Sequence, residues 1–136
     1  MDYKGYCLWA SDVPAAGVPH YVIVSSGRDD DDNYLIVAIS SIKYRPDGTP
    51  RYFDESCVIN VDDLKDENGH NILSKPSFAR YQYSCIKSGQ ELLQKQISRG
   101  YSCKCKVSED LLRRVQEGAM VSKDLPDDYK RFFAYF

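Results

Sequence analysis

Tyr21-Val22-Ile23-Val24-Ser25 and Tyr34-Leu35-Ile36-Val37-Ala38-Ile39-Ser40-Ser41 are the two stretches that decide the fold. Both are rich in β-branched residues, which predicts strands. Their apolarity is nearly continuous, so each must be covered on both faces or belong to a sheet that curls on itself, and a small barrel meets that need. The linking Ser26-Gly27-Arg28-Asp29-Asp30-Asp31-Asp32-Asn33 is too long for a two-residue hairpin. It predicts a wider turn in which Gly and Asn supply positive φ.

Upstream, Gly5 to Trp9 is a short apolar run, and Val13 to Pro19 is a loop broken by Pro and Gly. Downstream, Tyr44 to Pro50 reads as a turn, Ser56 to Val61 alternates as a third core strand, and Asp66 to Asn71 is a polar loop. Ser77 to Ile86 alternates as a strand with unlike faces. Ser88 to Arg99 predicts a short helix, with Ser88 and Glu91 as a capping box and Gly100 as terminator. Ser108 to Gly118 predicts the clearest helix: an N-cap serine, acids in the first turn, Leu111, Leu112 and Val115 on one stripe, and a closing glycine. A last aromatic-rich helix is expected over Asp127 to Phe136. The class is α+β. A single domain spans 1–136, with a curled antiparallel β-barrel core over about 5–87 and a helical C-terminal part over about 88–136.

With 136 residues, 43% hydrophobic and 28% charged, the chain has the composition of one globular domain. Its longest apolar runs fall far short of the roughly 18 residues a membrane span needs. Asp2 and Lys4 stand where a signal peptide would be basic and then apolar. The expected location is therefore cytoplasmic, with no membrane partner. Five cysteines, an odd number in mostly apolar strand-like sequence, suit reduced core thiols. A net charge of −2 gives no overall pull on nucleic acid, so any such contact needs a local basic patch. Cations interleaved with tyrosines occupy the middle of the chain, among them Lys43, Arg45, Arg51, Lys75 and Arg80.

The four-aspartate run lacks the ligand spacing and distal glutamate of a calcium loop and reads as a solvated turn. Cys103-x-Cys105 lacks a second pair at zinc-like spacing and reads as two buried cysteines on one strand face. No metal site and no cofactor are expected. Phosphate-loop, serine-hydrolase and zincin motifs are missing their minimum parts. The remaining polar set lies at strand ends: His20, then Ser40, Ser41 and Lys43, then Ser77, Arg80 and Tyr81. A histidine, hydroxyls and cations at a sheet edge are what metal-free RNA cleavage requires. A base takes the ribose 2′-OH proton, cations stabilise the phosphorane-like transition state, and an acid protonates the leaving 5′ oxygen.

In this order and spacing the chain resembles a divergent member of the PemK/MazF family of toxin–antitoxin toxins. Tyr21 to Ser25 resembles the family's first core strand, and Ile36 to Ser41 the following strand ending in Thr-Ser or Ser-Ser. Asp54 to Ile59, Leu73 to Tyr81 and Leu111 to Gly118 resemble later segments, so the likeness covers about residues 17–122. It departs where the family carries an arginine at the head of the first core strand, because Val18-Pro19-His20 stands there. The resemblance implies an SH3-like barrel and a metal-independent endoribonuclease that cuts single-stranded RNA. It also implies a protein antitoxin that holds the toxin inactive, and a homodimer. The implied catalytic set is His20 for acid–base chemistry, Ser40 or Ser41 on the scissile phosphate, and Arg80 or Lys43 for charge. Lys43, Tyr44, Arg45, Lys75, Ser77 and Tyr81 would hold RNA, the tyrosines by stacking on bases. The rival reading is a non-catalytic SH3-like module that binds RNA or a protein partner, such as a phage or defence accessory protein.

Overall fold

The computed structural model describes residues 2–13 and 16–134. Pro14 and Ala15 of the predicted loop, and Tyr135 and Phe136 of the predicted last helix, lie outside the described residues. Six strands form one antiparallel sheet: β1 (Tyr6–Ala10), β2 (His20–Val24), β3 (Asn33–Ser41), β4 (Val58–Ile59), β5 (Ser77–Ser88) and β6 (Tyr101–Lys106). Their spatial order is β4-β5-β3-β2-β1-β6, an open sheet curled into a half-barrel. Helices α1 (Gly89–Ile97) and α2 (Glu109–Val121) and a 3₁₀ helix over Asp127–Ala134 complete the α+β fold. Among the described residues, no helix is long and apolar enough to cross a membrane.

The near-continuous apolarity of β3 has a simple cause, because each face of the sheet carries its own core. Leu35, Val37 and Ile39 pack with Ile23, Leu111, Val115, Phe132 and Phe133 on one face. Tyr34, Ile36 and Ala38 pack with Leu8, Val22, Val24, Leu92 and Tyr101 on the other. Between Ile36 and Ala38 the β3–β5 register slips: Ile36 pairs with Cys85 but Ala38 with Arg80, so Tyr81 to Ser84 all stand opposite Val37. A bulge of this kind bends the strand and changes which face its residues meet. Ala79 and Tyr81 accordingly join the first core, whereas Tyr83 and Cys85 pack against the second.

The Ser88–Glu91 capping box and the Ser108 N-cap form as the sequence predicts. Other boundaries differ. The left-handed residue after α1 is Arg99, with φ of 64°, rather than Gly100. Helix α2 runs past Gly118 to Val121, and this glycine is a point of close approach rather than a terminator: a Cβ there would stand 2.5 Å from the Tyr81 hydroxyl and 2.7 Å from the Ser56 carbonyl oxygen. The predicted third core strand shrinks to Val58–Ile59, since Asn60 leads at once into a 3₁₀ turn over Val61–Asp63. The two cysteines of β6 do not share a fate. The β1–β6 register shifts so that Cys7 faces Cys105 and Leu8 faces Cys103, which buries Cys105 and leaves Cys103 exposed.

Candidate functional site

The antiparallel register brings the head of β2, the tail of β3 and the head of β5 to one end of the sheet. Tyr21 pairs with Ile39, Ser40 with Phe78 and Ser41 with Ser77. A cleft of about 720 Å³ opens there. Lys43 with Arg51–Asp54 forms one wall and Ile72–Lys75 another, and the Trp9–Tyr21 ring pair, 4.7 Å between centroids, lines it too.

Seven of the sequence-predicted residues line this cleft: His20, Ser40, Ser41, Lys43, Lys75, Ser77 and Arg80. Ser40 is only 8% exposed, and its Oγ has no hydrogen-bond partner among the described residues. A buried hydroxyl left unmatched is costly, and Ser84 Oγ, outside the cleft lining, is likewise without a partner among the described residues. The Ser77 hydroxyl, by contrast, already donates to the Lys75 carbonyl at 2.9 Å. His20 Nδ1 lies 3.0 Å from the Val18 carbonyl oxygen, an atom that only accepts, so Nδ1 carries a hydrogen, and in the neutral imidazole Nε2 is the nitrogen with the free lone pair. The His20 ring meets the Tyr83 ring edge to face at 5.8 Å, and the Arg80 guanidinium lies 4.0 Å above the same ring.

Three predicted residues are placed elsewhere. Tyr81 is a core residue: it is fully buried, and its hydroxyl donates to the Val115 carbonyl at 2.6 Å, so it offers no face to a base. Burial raises its phenol well above the ordinary range. Arg45 turns its Nη1 onto the Pro50 carbonyl at 2.8 Å and closes its own hairpin. Tyr44 bridges to Pro50 at the foot of that hairpin, exposed but outside the cleft lining.

The cleft also gathers Trp9, Tyr21, Arg51, Tyr52, Phe53, Asp54 and Asp124, which the sequence reading did not assign to a site. The two acids are internally engaged. Asp54 accepts from the Ser56 amide and from the Ser122 hydroxyl, and Asp124 accepts from the Tyr52 hydroxyl at 3.0 Å. Among the described residues Lys43, Arg51, Lys75 and Arg80 make no ion pair, as is also true of Lys4, Arg45, Lys65, Arg99, Lys104, Lys106 and Lys123 elsewhere; what distinguishes the four is that they line one cleft. A concave surface with four unpaired cations, an unmatched hydroxyl and exposed rings suits a flexible polyanion with aromatic bases.

Among the described residues no group of three or more His, Cys, Asp or Glu is arranged to hold a metal ion. In the aspartate loop, Asp29 Oδ1 accepts the Asp31 and Asn33 amides, and Asp32 pairs with Arg28. The chain matches no protein-family model, no curated protein and no solved structure.

Proposed function

We propose that the cleft binds single-stranded RNA and cleaves it without a metal ion, as an endoribonuclease toxin of the PemK/MazF kind. The observation that carries this reading is the convergence on one cleft of His20, the Ser40 hydroxyl and four cations that have no carboxylate partner among the described residues. His20 Nε2 takes the proton of a ribose 2′-OH, and the 2′ oxygen attacks phosphorus. Ser40 or Ser41 donates to a non-bridging oxygen while Arg80 and Lys43 stabilise the added negative charge. The P–O5′ bond breaks, the 5′ oxygen takes a proton from a water molecule, the hydroxide left behind recovers the proton held by His20, and a 2′,3′-cyclic phosphate remains. Neutralisation by a protein antitoxin and assembly as a homodimer belong to the same reading, and the family resemblance alone supports them. The second reading, a module that binds RNA without cutting it, is favoured by His20 standing where the family's toxins carry arginine.

Induction in bacteria separates the two. The wild type should slow growth and cut single-stranded RNA in the presence of chelator. A His20→Ala, Ser40→Ala, Ser41→Ala variant should lose at least about 100-fold in cleavage rate, the usual worth of a general base, and still bind. Salt-sensitive RNA binding with no product would establish the binding module instead. Neither cleavage nor binding would remove RNA from consideration.

A further inference from the structure

The slip in β5 does more than curve the sheet. Regular alternation would put Tyr83 on the same face as Tyr81, in the first core. With four residues opposite Val37, Tyr83 instead reaches the second core face, which also carries Val22, Ala38 and, toward the open end, His20, Ser40 and Arg80. Tyr83 does not line the cleft, yet it touches two residues that do.

We propose that Tyr83 is a positioning residue, whose ring fixes the Arg80 guanidinium and the His20 imidazole relative to each other before a phosphate arrives. The roles of Arg80 and His20 rest on the ribonuclease reading above; the fixing itself does not. Arg80 has a long flexible stem and no ion pair among the described residues, so the ring beneath it is what restrains its planar head. The imidazole, at an interplanar angle of 80° to the same ring, is held from the other side of the arrangement by Nδ1 on the Val18 carbonyl. Holding reacting groups in place beforehand lowers the ordering cost at binding and in the transition state. The Tyr83 hydroxyl makes no hydrogen bond among the described residues, so the ring is the working part.

The test uses the full chain in wild-type, Tyr83→Phe, Tyr83→Leu and Arg80→Ala forms, with Tyr83→Met as a volume-keeping substitute should the Leu variant fold poorly. The ¹⁵N–{¹H} NOE of the Arg80 Nε–Hε pair reports side-chain order, and anisotropy of a short fluorescein-labelled single-stranded RNA reports affinity. Wild type and Tyr83→Phe should show an ordered Arg80 and equal affinity. Tyr83→Leu or →Met should leave Arg80 mobile and weaken binding by about two- to fivefold, the scale of one cation–π contact. Either substitution should add nothing in an Arg80→Ala background. An Arg80 NOE unchanged by Tyr83→Leu or Tyr83→Met overturns the proposal. So does an unchanged affinity where Arg80→Ala weakens binding, or losses that multiply in the double variant. If the wild type binds no RNA, the ribonuclease reading fails, and the NOE alone decides for or against Tyr83.

Discussion

The two ends of the β2–β3 pair are built from the same strands and differ in what their polar groups do. At the turn end, Asp29 pairs with Arg131 and caps its own loop, and Asp32 pairs with Arg28. There too the Ser25 hydroxyl donates to the Leu35 carbonyl, and the Gln116 amide reaches the Ser25 carbonyl at 3.0 Å. At the cleft end, Lys43, Arg51, Lys75 and Arg80 have no carboxylate, and Ser40 Oγ has no partner among the described residues. One end closes the chain and ties it to the C-terminal helices. The other retains hydrogen-bonding and charge capacity that folding did not use, gathered on one cleft.

The largest expected effect breaks this contrast at the cleft. Replacing Lys43, Arg51, Lys75 and Arg80 together by alanine should weaken single-stranded RNA binding by about 100-fold at low salt and flatten a log–log salt slope of about −3, as four phosphate contacts would give. Retained affinity in an anisotropy titration would move the RNA site elsewhere. Next is a change that should touch neither end. Gly118→Ala drives a methyl into Tyr81 and the Ser56 carbonyl, so urea denaturation should show a loss of about 1–3 kcal/mol while RNA affinity per folded molecule stays level.

The third prediction concerns pH. Burial pushes the Cys57 thiol up to about 11 from its ordinary 9.0. The folded state therefore keeps this proton where the unfolded chain releases it, and the resulting stabilisation is full below about pH 9 and lost as pH rises through 11. Stability curves measured across that window should decline less steeply in Cys57→Ala, by roughly 2 kcal/mol. The smallest effect belongs to the turn end. Arg28→Ala and Arg131→Ala remove partly exposed pairs and should cost about 0–1 kcal/mol each, with RNA affinity unchanged. A drop in affinity there would erase the distinction between the ends.

Local signals were readable where local physics governs. Ser88 with Glu91, Ser108 as N-cap, and the β-branched runs of β2 and β3 each act within a few residues, and the structure contains them. Seven cleft residues were also legible, because strand ends can be placed from turn residues and antiparallel order collects them. Tyr81 was misread since nothing local announces the β5 slip or the Val115 carbonyl waiting 34 positions away. Gly118 looked like a terminator, yet its role depends on Tyr81 and Ser56, distant in sequence. Arg51, Tyr52 and Asp124 belong to the site through the path of the 43–54 segment and one long-range hydrogen bond, neither of which has a periodic signature.

The open half-barrel has two free margins, and each is ill-suited to recruiting another extended chain. On one side β4 is only two residues long, and the Val58 carbonyl is taken by Arg114 at 3.2 Å. On the other, β6 carries the exposed Lys104 and Lys106 beside a register shift. A template for amyloid-like growth needs length, flatness and little charge. This sheet denies the first at β4 and the other two at β6, so the curl that leaves a cleft open for a ligand does so without turning its margins into seeds for aggregation.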